Sequence, residues 1–282
     1  MDIREARRLA ASRIAAAGIE RPWLEADLLL CFLTGMERSE LIAHQDRSFP
    51  EELSQKLDAA LLRRTAREPL QYITGTCSFM GMPFKVGPGC LVPRPETELL
   101  VLEARRSFQG NVFVDWGTGS GCIASAVLAD FPESRCIAVD KSPRALSWAW
   151  KNLRETGLLG RCLLCHAGYF DRIPVQPGAL DMIISNPPYI PACEMQGLMP
   201  EVALYEPEEA LAGGDDGLEL FIPLIKWAAR SLRSGGVLIL EAGGEEQIDR
   251  LVALSEEQFS AESVVDDIQG IPRVVVLKRS RF

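Results

Sequence analysis

The chain has 282 residues, 47% of them hydrophobic, and a formal net charge of −9 at pH 7. That apolar share builds a sizeable core and excludes global disorder, and the length suits a catalytic domain with a small accessory one. The acidic balance argues against a free-standing nucleic-acid binder, whose affinity rests on neutralising phosphates. No apolar run approaches the roughly 20 residues of a membrane span, and residues 1–20 are charged throughout with no secretory pattern. A cytoplasmic monomer with no direct nucleic-acid or membrane partner is therefore expected, its eight cysteines reduced.

In chain order, residues 1–75 read as helices. Ile3, Ala6, Leu9, Ala10 and Ile14 follow a helical stripe. Leu24, Leu28, Cys31 and Phe32 repeat it behind Pro22, and Leu53, Leu57 and Leu61 do so after Pro50, with Gly18 and Gly35 as stops. Such stripes need something to pack on, so 1–75 is expected to be a small helical bundle with its Lys and Arg residues on a solvated face. Across 76–95, glycines and prolines interleave with Phe79, Phe84, Val86, Leu91 and Val92, the pattern of a hairpin or extended connector.

The remainder, 96–282, alternates strands with helices. Apolar runs at 112–114, 136–139, 162–165, 182–184 and 237–240 are separated by helical stretches such as 143–153 and 218–232. Near-continuous apolar strands of this kind form a parallel sheet covered on both faces. The runs 263–267 and 274–278 have only a short turn between them, so the last strand is expected to run antiparallel. Cys162 and Cys165 form a lone C-x-x-C, and a strand sends His166 to the opposite face. Without two more ligands at similar spacing these are expected to be buried strand thiols, and no metal site is assigned.

The first chemical signal is Asp115-Trp116-Gly117-Thr118-Gly119-Ser120-Gly121, which comes directly after the first strand of this region and opens the next helix. Glycines at alternate positions let the backbone turn sharply and approach a ligand closely, and the helix start offers free amides. Asp140 ends the next strand, 25 residues after Asp115, where a carboxylate typically accepts hydrogen bonds from ribose hydroxyls. Either aspartate alone is as readily a strand-end or capping residue; the glycine loop between them is what points to a nucleotide-like ligand. The G-x-G-x-G spacing departs from the G-x-G-x-x-G of dinucleotide sites, and this combination resembles class I S-adenosylmethionine methyltransferases. Nothing in the sequence accounts for the bulky Trp116.

The second signal, Asn186-Pro187-Pro188-Tyr189, comes directly after the apolar run at 182–184 and Ser185, at the carboxyl end of a strand. Two prolines fix φ and remove two amide donors, so the loop is stiff and its carbonyls are free to accept. Asn186 adds a side-chain acceptor and Tyr189 an aromatic face. Two acceptors, the Asn186 side chain and the Pro187 carbonyl, can grip the two N–H hydrogens of a planar amide or amine. That grip turns the nitrogen lone pair toward an electrophilic methyl group, with dipoles and the ring stabilising the charge that develops. Asn-Pro-Pro is also ordinary turn chemistry; its place after a buried strand, downstream of the glycine loop, favours the site.

The tetrad is similar to that of amino-methyltransferases acting on adenine N6, cytosine N4 and glutamine amides. The surrounding runs narrow the field. They are Pro69-Leu70-Gln71-Tyr72, Leu91-Val92-Pro93-Arg94-Pro95-Glu96-Thr97-Glu98, Tyr205-Glu206-Pro207, Gly213-Gly214-Asp215-Asp216-Gly217, Gly235-Gly236 with Glu241, and Gly270-Ile271-Pro272-Arg273. Together they resemble, over nearly the whole chain, the HemK/PrmC family, the glutamine methyltransferases of peptide chain release factors. Pro93 to Glu98 is the most specific element.

The resemblance implies a Rossmann-like α/β fold, a seven-stranded, mostly parallel sheet with an antiparallel last strand, behind a helical N-terminal domain that recognises substrate. It also implies S-adenosyl-L-methionine as cofactor, S-adenosyl-L-homocysteine as product, and methylation of the glutamine in a release factor's Gly-Gly-Gln loop. The expected cofactor residues are Asp115, Gly117, Thr118, Gly119, Ser120, Gly121, Asp140, Tyr169, Phe170 and Asn186. Asn186, Pro187 and Tyr189 are expected to be catalytic, and they grip the substrate with Pro188, Arg94 and Glu96. A capped helix start with a local ion pair is an equal reading of Arg94, Glu96 and Glu98. Gly168 and Tyr169 depart from the family, which usually has an acidic residue and often Trp there. Alternatives left open are a nucleic-acid base methyltransferase, a ribosomal-protein glutamine methyltransferase, and a non-catalytic adenosylmethionine-binding module.

Overall fold

Asp2 starts the first helix with a reciprocal capping box. Its carboxylate accepts from the Glu5 amide at 2.7 Å, and the Glu5 side chain accepts from the Asp2 amide at 2.9 Å. α1 then runs Ile3–Ala16. α2 (Pro22–Thr34) opens on proline and is closed by Gly35 in the left-handed region. α3 (Arg38–Ala43), α4 (Glu51–Thr65) and α5 (Leu70–Thr74) come next. The structure, a computed structural model, describes residues 1–168, 170 and 173–280. The chain sorts into two compact units: Met1–Thr76 with Met199–Tyr205, and Cys77–Leu198 with Glu206–Phe282. No helix among the described residues is long and apolar enough to cross a membrane.

The helical unit buries Ile3, Ala6, Ala10 and Ile14 as expected, but Leu9 is exposed. α1 is lined by alanines on its inner face, and Ala11 takes the buried place next to Ala10. In α2 the expected stripe is displaced. Leu28 and Phe32 are exposed, Leu24 and Cys31 are partly buried, and Ala26, Asp27, Leu29 and Leu30 face inward. A helix with apolar residues almost all round has no unique stripe, and here a polar contact fixes its rotation. Asp27, fully buried, accepts from Arg7 at 2.7 Å and Arg38 at 3.0 Å.

The basic residues are likewise not all solvated. Arg64 is 4% exposed and donates to Glu25 at 2.5 and 3.0 Å and to Glu201 at 3.0 Å. Glu201 lies on the short helix Pro200–Tyr205, which belongs to this unit, and Tyr205 donates to the Ala66 carbonyl at 2.7 Å.

The second unit begins with a hairpin, β1 (Thr76–Phe79) and β2 (Met82–Lys85), whose turn residues Met80 and Gly81 both have positive φ. Such turns match the right-handed twist of paired strands. After α6 (Glu98–Ser107) come β3 (Val112–Trp116), α7 (Cys122–Asp130), β4 (Arg135–Asp140), α8 (Pro143–Glu155), β5 (Cys162–His166) and β6 (Leu180–Ser185). α9 is the Pro200–Tyr205 helix already described. α10 (Phe221–Ser231), β7 (Leu232–Glu241), α11 (Glu245–Ser255), β8 (Phe259–Asp266) and β9 (Pro272–Arg279) complete the unit.

The sheet has seven strands in the order β5-β4-β3-β6-β7-β9-β8, with β9 antiparallel to both its neighbours and the other pairs parallel. This is the expected α/β sheet with its antiparallel last strand. Alternate strand residues feed two cores. Phe113, Met182, Ile184 and Ile239 pack with α6, α7 and α8, while Val114, Ile183, Leu238 and Leu240 pack with α10 and α11. Cys162 and Cys165 are partly buried where fully buried thiols were expected, because β5 is an edge strand. His166 turns away to the Lys141 carbonyl at 3.0 Å, and no three metal-binding side chains converge among the described residues.

Arg64 is the sharpest stability test in the helical unit. Truncating one member of a buried ionic cluster strands the others without water, at about 3–5 kcal/mol. Arg64→Ala should lower unfolding stability on that scale. Arg13→Ala, which removes an exposed pair with Asp58, should cost less than about 1 kcal/mol. Urea titration of both variants checks the contrast.

Candidate active site

Three parallel strands end level. Trp116 stands opposite Val139 on one side and Ser185 on the other. The chain moves from β3 to β4 and β5 in one direction, then returns to β6 beyond β3. The loops therefore part above β3, at the switch point where open α/β sheets bind ligands. A cleft of about 960 Å³, open to solvent, lies there. It is lined by the glycine loop, Asp140 with Lys141 and Ser142, Asn186 with Pro188, and Arg94 and Thr97.

Asp115 builds the loop. It is fully buried, and one carboxylate oxygen accepts from the Thr118 hydroxyl at 2.7 Å and the Ala124 amide at 3.0 Å, folding the loop onto the start of α7. Gly117, Gly119 and Gly121 all have φ between 56° and 78°, a region that side chains disfavour. Gly121 is constrained twice, since a Cβ there would stand 3.1 Å from the Ala149 Cα. Asp115 and Gly121 thus shape the cleft from behind, while Gly117, Thr118, Gly119 and Ser120 line it.

Asp140 reaches the cleft itself. Its two oxygens accept from the Gly119 amide at 2.9 Å and the Ser142 amide at 2.8 Å, leaving each with a lone pair for a ligand. Burial raises its pKa, and the two amides oppose that rise.

Trp116, which the sequence left unexplained, is the cleft's aromatic wall. Its ring stacks on Phe170 at 5.1 Å, and Phe170 rests on Trp227 at 5.6 Å. Phe170, expected at the cofactor, is thus packed behind Trp116. Tyr169 lies outside the described residues.

In the tetrad, Asn186 and Pro188 line the cleft, Pro187 is buried, and Tyr189 is packed on the α10–α11 core. The backbone is clamped downstream. The Ile190 amide donates to the Leu211 carbonyl at 3.0 Å, the Gly213 amide donates to the Ile190 carbonyl at 2.9 Å, and Gln247 donates to the Tyr189 carbonyl at 2.8 Å. A Cβ on Gly213 would fall 2.8 Å from the Tyr189 backbone, so only glycine allows this approach. The Tyr189 hydroxyl donates to Glu241 at 3.3 Å, and burial raises its pKa so that it stays protonated.

The Pro93 to Glu98 run divides its labour. Arg94 donates to both oxygens of buried Glu206, at 2.8 and 2.9 Å, and also faces the cleft. Glu98 accepts from the Met80 amide at 2.6 Å and pins the hairpin turn. Glu96 is half-buried and its charge bears on Glu241. Thr97, for which the sequence suggested no role, accepts from the Asn186 side-chain nitrogen at 3.0 Å. Glu241, which the sequence showed only as part of the wider family pattern, stands at the carboxyl end of β7 and accepts from the Tyr189 hydroxyl.

Burial pushes Asp115 and Glu241 up to about 7. Between the ordinary carboxyl range and that value, the folded chain keeps protons that the unfolded chain has released. These groups therefore stabilise the fold at low pH and lose that contribution as pH rises toward about 7. Glu241→Gln cannot ionise. Between about pH 4 and pH 8, wild type should lose on the order of 1–3 kcal/mol relative to this variant. Urea titrations at both pH values measure it; a constant difference refutes the assignment.

Comparison with known proteins places this geometry. Residues 5–75 match the PrmC N-terminal domain, and residues 95–214 match the methyltransferase small domain. The release factor glutamine methyltransferase of Moorella thermoacetica is 38% identical over 283 residues, 99% of each chain. That of Gloeobacter violaceus is 41% identical, covering 89% of each chain. A methyltransferase structure from Pyrococcus furiosus shares the fold, with a TM-score of 0.54 at 16% identity, covering 80% of this chain and 100% of the other. With a two-domain match and identity of this order over almost its whole length, the chain belongs to the release factor glutamine methyltransferase family.

Proposed function

We propose that this protein transfers a methyl group from S-adenosyl-L-methionine to the side-chain amide nitrogen of the glutamine in the Gly-Gly-Gln motif of peptide chain release factors, releasing S-adenosyl-L-homocysteine. The observation that carries it is the convergence of the glycine loop, Asp140 and Asn186 on one cleft, in a chain of this family. The cleft fits the cofactor: Asp140 keeps lone pairs for ribose hydroxyls, and the backbone of Gly117 and Gly119 is open to close approach. When bound, S-adenosylmethionine supplies an electrophilic methyl group.

The chain's own residues do the rest. Asp140 holds the ribose, and the glycine loop receives the amino-acid end. Trp116, Lys141 and Gly168 border the space left for the remainder, with Tyr169 as a further cofactor residue and Phe170 backing Trp116. Asn186 Oδ1 and the Pro187 carbonyl accept the two N–H hydrogens of the glutamine amide. One of these hydrogens is lost as a proton when the nitrogen–carbon bond forms. Pro188 keeps the loop stiff, and Tyr189 braces it through Glu241. Arg94 and Glu96 meet the incoming release-factor loop, and the helical unit at 1–75 supplies recognition. The acidic net charge suits a protein substrate better than a nucleic acid, and the protein acts as a cytoplasmic monomer.

The test is to incubate the protein with labelled S-adenosylmethionine and either a release factor or its Gln→Ala variant. Label should enter the wild-type factor alone, and mass spectrometry should place the methyl group on the Gly-Gly-Gln glutamine. Equal labelling of both factors, or label in nucleic acid instead, overturns the reading. Asn186→Ala should lower transfer by on the order of 100-fold, with a smaller effect on cofactor affinity.

A further inference from the structure

A carboxamide is almost symmetric in shape. Rotation about χ2 exchanges Oδ1 for Nδ2 with little steric consequence. Used as an acceptor for a substrate amide, Asn186 must present Oδ1. Reversed, it offers N–H donors to N–H donors. Packing alone does not choose between the two, so a hydrogen-bond partner has to.

Thr97 is that partner. It is 3% exposed, so water does not compete for its hydroxyl, and it accepts from Asn186 Nδ2 at 3.0 Å. A threonine hydroxyl has one hydrogen to donate. The Thr97 side chain favours the anionic form of Glu241, and Glu241 Oε2 has no hydrogen-bond partner among the described residues. Glu241 is 1% exposed and is also approached by the Tyr189 hydroxyl at 3.3 Å. An ionised carboxyl only accepts. In its ionised form, which grows as pH rises past about 7, Glu241 attracts the Thr97 hydrogen and leaves the Thr97 lone pairs to Asn186.

We propose that Thr97, backed by Glu241, is a positioning pair that holds the Asn186 carboxamide with its NH₂ turned away from the substrate and Oδ1 presented to it. This rests on the reading of Asn186 as acceptor for the substrate amide. In this role the pair acts through Asn186 rather than on the substrate directly.

The experiment compares full-length wild type, Thr97→Val, Thr97→Ser, Asn186→Ala and the double variant Thr97→Val/Asn186→Ala, with S-adenosylmethionine and a release factor. S-adenosylhomocysteine binding is followed in parallel by calorimetry. Thr97→Val keeps the shape and removes the hydroxyl. It should lower kcat by roughly tenfold or more while S-adenosylhomocysteine affinity stays within about twofold. Thr97→Ser should restore kcat to within about threefold. In the Asn186→Ala background, Thr97→Val should add nothing, because its effect passes through Asn186.

An unchanged kcat for Thr97→Val, or an equal further loss in the Asn186→Ala background, overturns the proposal. Should Thr97→Val fail to bind S-adenosylhomocysteine at all, Glu241→Gln carries the test. A drop of several-fold in kcat with binding intact supports the pair, and an unchanged kcat overturns it. Wild type that binds S-adenosylhomocysteine but leaves the glutamine unmethylated refutes the functional reading itself and the pair with it, a result distinct from a Thr97 variant that works normally.

Discussion

Trp116, Val139 and Ser185 stand level across β4, β3 and β6, and Ser185 is paired in turn with Leu240 on β7. One step further along each strand lie Gly117, Asp140, Asn186 and Glu241. Parallel strands in register thus deliver a turn, a carboxylate, a carboxamide and a second carboxylate to the same height. Because the chain reverses direction across the sheet between β5 and β6, no crossover covers the gap above β3. The site is a product of strand register and connection order, and a one-residue slip in β6 would turn Asn186 to the opposite face.

Carboxyl groups at this level are costly to bury unless donors meet them, and the structure meets each to a different degree. Glu206 has the doubly bonded Arg94, and Asp115 has a hydroxyl and an amide on one oxygen. Among the described residues, Glu241 has the long bond from Tyr189, and the Thr97 side chain favours its anion. Burial holds the Glu241 carboxyl at about 7, as it does Asp115. Glu241 and Asp115 each have one carboxylate oxygen with no hydrogen-bond partner among the described residues, and both sit beside the cleft, where such groups are often tied to function.

Most of this was legible because the strands of the catalytic unit are short apolar runs with abrupt polar ends. Asp115, Asp140 and Asn186 each stand at or just beyond the polar end of such a run. The glycine loop was equally plain, because left-handed backbone at alternate positions leaves few other residues. The helical unit was harder to read. α2 is apolar on nearly every side, so spacing favoured Leu28 and Phe32, while the buried ion pairs of Asp27 turned Leu29 and Leu30 inward. Leu9 failed for a related reason, since alanines leave a helix without a distinctive stripe. Arg64 could not be recognised as buried, because its partner Glu201 is 137 residues away. Thr97 was passed over because a threonine between two glutamates reads as a helix start. Only the fold brings β6 and β7 to it.

The two acceptors of the tetrad are held by different means. The Pro187 carbonyl belongs to a backbone that is determined several times over, by two prolines, by the Ile190 and Gly213 amide bonds and by Gln247 on the Tyr189 carbonyl. Loss of any one of these leaves the others to hold the chain. The Asn186 side chain has no such redundancy. Its rotation about χ2 meets little steric opposition, and the hydroxyl of Thr97 is what distinguishes its two ends. A stiff loop thus carries one side chain that, among the described residues, makes one hydrogen bond, to Thr97. That bond is accepted by Thr97, at the start of α6, with Glu241, at the end of β7, proposed to set its polarity. On the proposed role of the pair, the amide-gripping chemistry read from four consecutive residues rests on two others, 89 positions upstream and 55 downstream of Asn186.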